Sequence, residues 1–147
     1  KDDCLIWFIV EDPTFTAVSR TIGCLNTDAS HRFELYEENG FATAFLNFGP
    51  GKTNTNTATS GNVLVYGKRA NATQQSCGIN SNLQTAAANS VGVPNYNMFL
   101  LTTNYNGAPL GDYCTKYIKA CGVATSAFDA EAMLTMVNNL EADLAAL

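Results

Sequence analysis

Charge is scarce in this chain. Only 14% of its 147 residues are Asp, Glu, Lys or Arg, and the net charge is −5, where soluble domains usually carry about 25% charged residues. Eight Lys and Arg residues, with Lys68-Arg69 the sole adjacent pair, exclude a nucleic-acid groove, which needs clustered cations against phosphate. Long apolar runs are also missing. Leu5 to Val10 is far shorter than the roughly 20 residues a membrane-spanning helix needs, so no membrane is expected as a partner. Histidine is almost absent: His31 stands alone after Ala29-Ser30 and reads as a surface residue, since a catalytic histidine needs a nucleophile and an orienting group. No Cys-x-x-Cys, G-x-S-x-G, H-E-x-x-H, P-loop or EF-hand pattern occurs. Gly49-Pro50-Gly51-Lys52-Thr53 resembles a phosphate loop only in part, without the first glycine or a following helix. No enzyme activity, cofactor or metal is expected.

What the chain has instead is neutral polar residues (Asn, Thr, Ser and Gly) and five cysteines: Cys4, Cys24, Cys77, Cys114 and Cys121. Cysteine at this density suits an oxidising compartment, but the sequence does not choose the pairs, and an odd count leaves one over. The start at Lys1-Asp2-Asp3-Cys4 reads as a mature terminus after leader removal. Asn71-Ala72-Thr73 is a glycosylation sequon. Together these suggest a secreted, extracellular monomer, with residues 1–147 forming one domain.

Most of the chain reads as strand. Thr14 to Ile22 is rich in β-branched residues. Arg32 to Glu37 alternates, with Phe33 and Leu35 on one face and Arg32, Glu34 and Tyr36 on the other. Phe41 to Phe48 follows an Asn39-Gly40 hairpin signal. Asn62 to Gly67 and Tyr96 to Thr103 are further strands, and Asn104-Tyr105-Asn106-Gly107 is a tight turn. Leu5–Val10, Thr55–Thr59, Thr73–Asn82 and Ala108–Tyr113 are candidates for the remaining strands. Gly49 to Gly61 and Asn80 to Gly92 read as polar loops. Asp112 to Ala120 is expected to form a short helix closed by Gly122. A longer helix starts near Ser126 and Asp129, with Phe128, Met133, Val137, Leu140, Leu144 and Leu147 as its apolar stripe. The pattern predicts an all-β fold with a C-terminal helix: an eight-stranded antiparallel β-barrel, large enough to enclose one small ligand.

Four segments follow in order: Thr16-Ala17-Val18-Ser19-Arg20-Thr21 with Cys24 soon after, Cys77-Gly78-Ile79, Val93-Pro94-Asn95-Tyr96-Asn97-Met98-Phe99, and Cys114-Thr115-Lys116-Tyr117-Ile118-Lys119. In this order they resemble the salivary lipocalins of ticks, soft ticks above all, which implies a lipocalin-like barrel. The resemblance implies a one-pocket barrel that sequesters a host mediator stoichiometrically. The ligand would be a biogenic amine (histamine, serotonin) or a lipid (leukotriene, thromboxane, fatty acid), and some members also bind a complement component. It implies disulfides Cys77–Cys114 and Cys24–Cys121, with Cys4 left over. Amine-binding members carry an acid after the first of these cysteines and another before the aromatic strand's Leu-aromatic pair. Here those places read Cys77-Gly78-Ile79 and Asn97-Met98-Phe99, and a buried ammonium would lack its counter-charge.

The expected ligand is therefore a lipid acid. Trp7, Phe15, Phe33, Tyr36, Phe41, Phe45, Tyr66 and Phe99 would line its site, with Arg20 or Arg32 holding the carboxylate. An amine would need a relocated carboxylate, from Glu34, Glu11 or Asp112. A host protein bound through the loops Gly49–Gly61 and Asn80–Gly92 is the alternative from another class.

Overall fold

The computed structural model describes residues 2–11, 19–25, 31–38, 41–46, 52–54, 60–89, 97–111, 114 and 116–146; at 19–22, 24–25, 36–38, 41–46 and 52–53 it describes the backbone alone. The fold is mostly β with a C-terminal helix. Its strands are β1 (Cys4–Glu11), β2 (Ser19–Leu25), β3 (Arg32–Glu38), β4 (Phe41–Leu46), β5 (Lys52–Asn54), β6 (Asn62–Asn71), β7 (Gln74–Ile79), β8 (Asn82–Ala87), β9 (Phe99–Leu100), β10 (Asn104–Tyr105), β11 (Ala108–Pro109) and β12 (Ile118–Ala124), followed by α1 (Ala130–Ala145).

Two sheets carry these strands. One is antiparallel, in the order β12-β1-β6-β7-β8; the other runs β11-β10-β2-β3-β4-β5, with β9 also on β2. No closed barrel is found among the described residues. The sheets meet at β5, where the buried Asn54 Nδ2 donates to the carbonyls of Cys77 and Asn82 at 2.9 and 2.8 Å. β1 explains the architecture. Its run Cys4 to Val10 is buried throughout, so both faces need cover, as expected of a central strand. Ile6, Phe8 and Val10 pack with Val63, Val65, Cys77, Ile79 and Leu35 between the sheets. Leu5, Trp7 and Ile9 pack with Leu64 and Tyr66 beneath α1.

The hairpin expectations are met. Glu38 pairs with Phe41, the register an Asn39-Gly40 turn implies. β10 and β11 are joined through Asn106 and Gly107, both at positive φ, the conformation a two-residue hairpin loop requires. Leu5–Val10, the core of Thr73–Asn82 and the start of Ala108–Tyr113 are strands; Thr55–Thr59 lies outside the described residues.

Four expectations are corrected. Lys52–Asn54, within the Gly49–Gly61 stretch read as loop, is β5, because it pairs with β4 from Ala42↔Asn54 to Ala44↔Lys52. Ile118–Ala120, assigned to a short helix, belongs to β12, because β1 needs a neighbour on its second edge and Leu5 to Val10 pair along it. Asn82–Ala87, read as loop, is β8, pairing with β7 from Gln74↔Ala87 to Ile79↔Asn82. Of the described residues of the Tyr96–Thr103 strand, 97–103, only Phe99–Leu100 lie within a sheet. For α1 the N-cap is Asp129, accepting from the Ala132 N–H at 3.0 Å. Its inward residues are Ala130, Met133, Leu134 and Val137, whereas Leu140 and Leu144 are 59% and 60% exposed. Over its last turns, polar bonds replace the apolar stripe. Glu141 pairs with Lys119 at 2.7 Å and accepts from Asn62 at 2.6 Å, and Lys119 also reaches Glu11 at 3.1 Å.

No disulfide is found among the described residues, where Cys4, Cys77, Cys114 and Cys121 are thiols. Cys77 is a core side chain of β7, and Cys121 packs from β12 against that same core. Cys24 is placed by its backbone alone.

Candidate functional site

The expected ligand space between the sheets is occupied where side chains are described: Ile6, Phe8, Val10, Leu35, Val63, Val65 and Ile79 are all 0% exposed. Phe33 leans on this core, so in part it fills the space it was expected to line. Glu34 lies on the opposite face of β3, as the alternation predicts, and is fully buried. It is held by an ion pair with Arg32 and accepts from Thr103 Oγ1 at 3.0 Å. Glu34 is thus committed to its own cation, and Glu11 to Lys119. Phe99 sits on β9 opposite Gly23. The side chains of Arg20, Tyr36, Phe41 and Phe45, and the residues Phe15 and Asp112, lie outside the described set.

A pocket of about 340 Å³ does open on the other face of the five-stranded sheet, where α1 begins. It is built from strand alternation and a cap. On β1, Leu5 and Trp7 face α1; on β6, Tyr66 and Lys68 face the same way, with Trp7 opposite Tyr66 and Leu5 opposite Lys68. Two glycines shape the floor. A Cβ at Gly122 would come within 3.0–3.1 Å of the Trp7 indole, and one at Gly78 would overlap the Tyr66 ring. Each ring thus lies over a glycine of the next strand, as aromatic residues do when they cover strand glycines.

The roof is the approach to α1. The Ser126 N–H donates to Asp3 Oδ1 at 2.8 Å, fixing the segment that carries Phe128. The Phe128 ring stacks on Trp7 with centroids 5.8 Å apart and planes 15° from parallel. Asp129 caps the helix, and Glu131 follows in its first turn. Leu5, Tyr66, Lys68, Ser126, Phe128, Asp129 and Glu131 line the opening.

The electrostatics are mainly acidic. Asp129 and Glu131 line the pocket with Lys68, the one cation among the described lining residues, and the positive end of α1 offsets only part of that charge. Hydrogen bonds from Ser126 hold the Asp3 carboxyl below its usual range. Burial, and then the Glu131 carboxylate, push the Tyr66 phenol up, so it remains a neutral donor. The Tyr66 hydroxyl and the Glu131 carboxylate have no hydrogen-bond partner among the described residues. This arrangement can seat an apolar or aromatic body on Phe128, Leu5 and Tyr66 and bind a charged head at the rim.

Of the residues singled out from sequence, Trp7 and Tyr66 meet here; Phe33, Glu34 and Phe99 stand elsewhere. Leu5, Lys68, Phe128 and Glu131 went unrecognised as site residues. Strand parity held the signal, since Leu5 shares a face with Trp7 and Lys68 with Tyr66, but their convergence requires the β1–β6 pairing. No described helix is long and apolar enough to cross a membrane, and no metal-holding cluster occurs among the described residues. No family model matches the chain, and no curated protein matches it.

Proposed function

We propose that the protein is a secreted, non-catalytic binder that sequesters a small amphipathic molecule at the shelf between α1 and the Trp7–Tyr66 face. The observation that carries this reading is the pocket itself: an aromatic and aliphatic floor, with Glu131 and Tyr66 offering unengaged polar atoms. A volume of about 340 Å³ falls at the low end of the roughly 300–1,000 Å³ typical of small-molecule sites. That suits one ring and a short chain better than a long fatty acid. The acidic rim favours an amine over the lipid acid expected from sequence, with Glu131 as the relocated carboxylate. Lys68 supports the lipid reading as a possible carboxylate partner. On the same reading the two sheets are the walls of a lipocalin-type barrel, and the Asn54 bonds at the β5 seam support it.

Titration calorimetry with serotonin, histamine and arachidonate tests this. An amine should bind, and Glu131→Gln should weaken it about tenfold or more, the loss of a charge-assisted hydrogen bond worth about 1.5–3 kcal/mol. Lys68→Met should leave amine affinity unreduced. Arachidonate binding that depends on Lys68 and not on Glu131 would transfer the site to lipids. Absence of heat with all three would remove the reading.

A further inference from the structure

We propose that Asn71 is an N-glycosylation site, carrying an oligosaccharide at the tip of the β6–β7 hairpin. The chain is rich in asparagine, yet Asn71-Ala72-Thr73 is its sole Asn-x-Ser/Thr triplet. The fold places it where such a triplet is usable. Asn71 pairs with Gln74, leaving Ala72 and Thr73 as a two-residue loop, and residues 70–74 are all exposed.

The local chemistry suits the reaction. Asn71 Oδ1 accepts from the Thr73 N–H at 2.9 Å and from Thr73 Oγ1 at 3.0 Å. Two donors on the side-chain carbonyl fix the amide's orientation. Nδ2, the atom that would carry the sugar, makes no hydrogen bond among the described residues. In the transfer, Nδ2 bonds to C1 of an activated oligosaccharyl pyrophospholipid. The C1–O bond to pyrophosphate breaks, the pyrophospholipid leaves with the electron pair, and one Nδ2 proton is lost. The co-reactant and its transferase belong to a secretory membrane compartment. Both hydrogen bonds lie within three residues, so the turn is available to the chain before long-range folding.

In the folded protein the tip is pinned. Arg69 Nη1 donates to the Asn71 and Ala88 carbonyls at 3.2 and 2.9 Å, and the Ala88 N–H donates to the Thr73 carbonyl at 2.7 Å. A register shift between Lys68 and Asn71 inserts one extra residue in β6, the mark of a β-bulge, which bends its strand. A glycan here displaces no buried side chain; the proposal rests on the secreted reading and is independent of the ligand.

The test is to secrete the full chain from eukaryotic cells behind a cleavable leader and measure its intact mass before and after peptide N-glycanase. The wild-type chain should be heavier than its polypeptide and collapse to it on digestion, with Asn71 converted to Asp. Asn71→Gln and Thr73→Ala should secrete at the bare polypeptide mass, while Thr73→Ser keeps the addition. A secreted wild-type chain without added mass overturns the proposal, as does a glycanase-sensitive addition that survives Asn71→Gln.

Discussion

Replacing Gly78 with alanine tests the floor of the pocket directly. Alanine usually stabilises a strand interior relative to glycine by about 0.5–1 kcal/mol. At Gly78 the new methyl would overlap Tyr66 at Cζ and Cε1, and that ring is 7% exposed beneath α1. Forcing a rigid aromatic aside in a packed core costs about 1–3 kcal/mol. The two effects leave Gly78→Ala destabilising by up to about 2.5 kcal/mol, and by about 1 kcal/mol at their midpoints. In a Tyr66→Leu background the clash is gone and the sign should reverse, to a gain of about 0.5–1 kcal/mol. Urea unfolding followed by circular dichroism on the four proteins of this cycle measures the coupling, with ΔΔG read from midpoints at constant m. Equal effects of Gly78→Ala in both backgrounds would refute the claim that Gly78 exists to seat Tyr66.

Two further outcomes are expected. Asn54→Ala should cost about 2 kcal/mol, because it strips a donor from the Cys77 and Asn82 carbonyls at the seam between sheets; an unchanged urea midpoint would remove Asn54 from that role. Acid should loosen α1 at both ends. Hydrogen bonds from Ser126 hold the Asp3 carboxyl, and those from Lys119 and Asn62 the Glu141 carboxyl, below their ordinary values of 3.8 and 4.5. Their contribution is therefore full above those values and lost as pH falls through the folded ones. Trp7 emission should shift across that range, and Asp3→Asn with Glu141→Gln should flatten the shift; an unaltered titration in the double variant would place the change elsewhere.

Local chemistry was legible in the sequence. Period-two alternation put Leu35 in the core and Glu34 on the other face, Asn-Gly pairs marked two hairpins, and the Ser126–Asp129 region located the start of α1 within a few residues. What sequence did not reveal depends on pairing across long separations. Helical propensity from Asp112 to Ala120 could not register that β1 lacked a neighbour, and β12 fills that edge. The stripe through Leu140 and Leu144 followed helical spacing, yet Glu141 and its partners took over the contact with the sheet. The candidate site suffered most. Aromatic residues were grouped as a cavity lining, but a strand has two faces, and Trp7 and Tyr66 belong to the one covered by α1.

The burial of β1 on both faces has a kinetic consequence. Its neighbours are β6, some 60 residues later, and β12, roughly 110 residues later, while α1, which covers its second face, follows β12, so its contacts are all non-local. During synthesis, Leu5-Ile6-Trp7-Phe8-Ile9-Val10 therefore emerges well before the strands and helix that enclose it. A six-residue apolar segment of high β-propensity, without charge or proline, readily pairs with its own kind while it waits. The strand most central to the finished protein is thus the one most exposed to aggregation while the protein is being made.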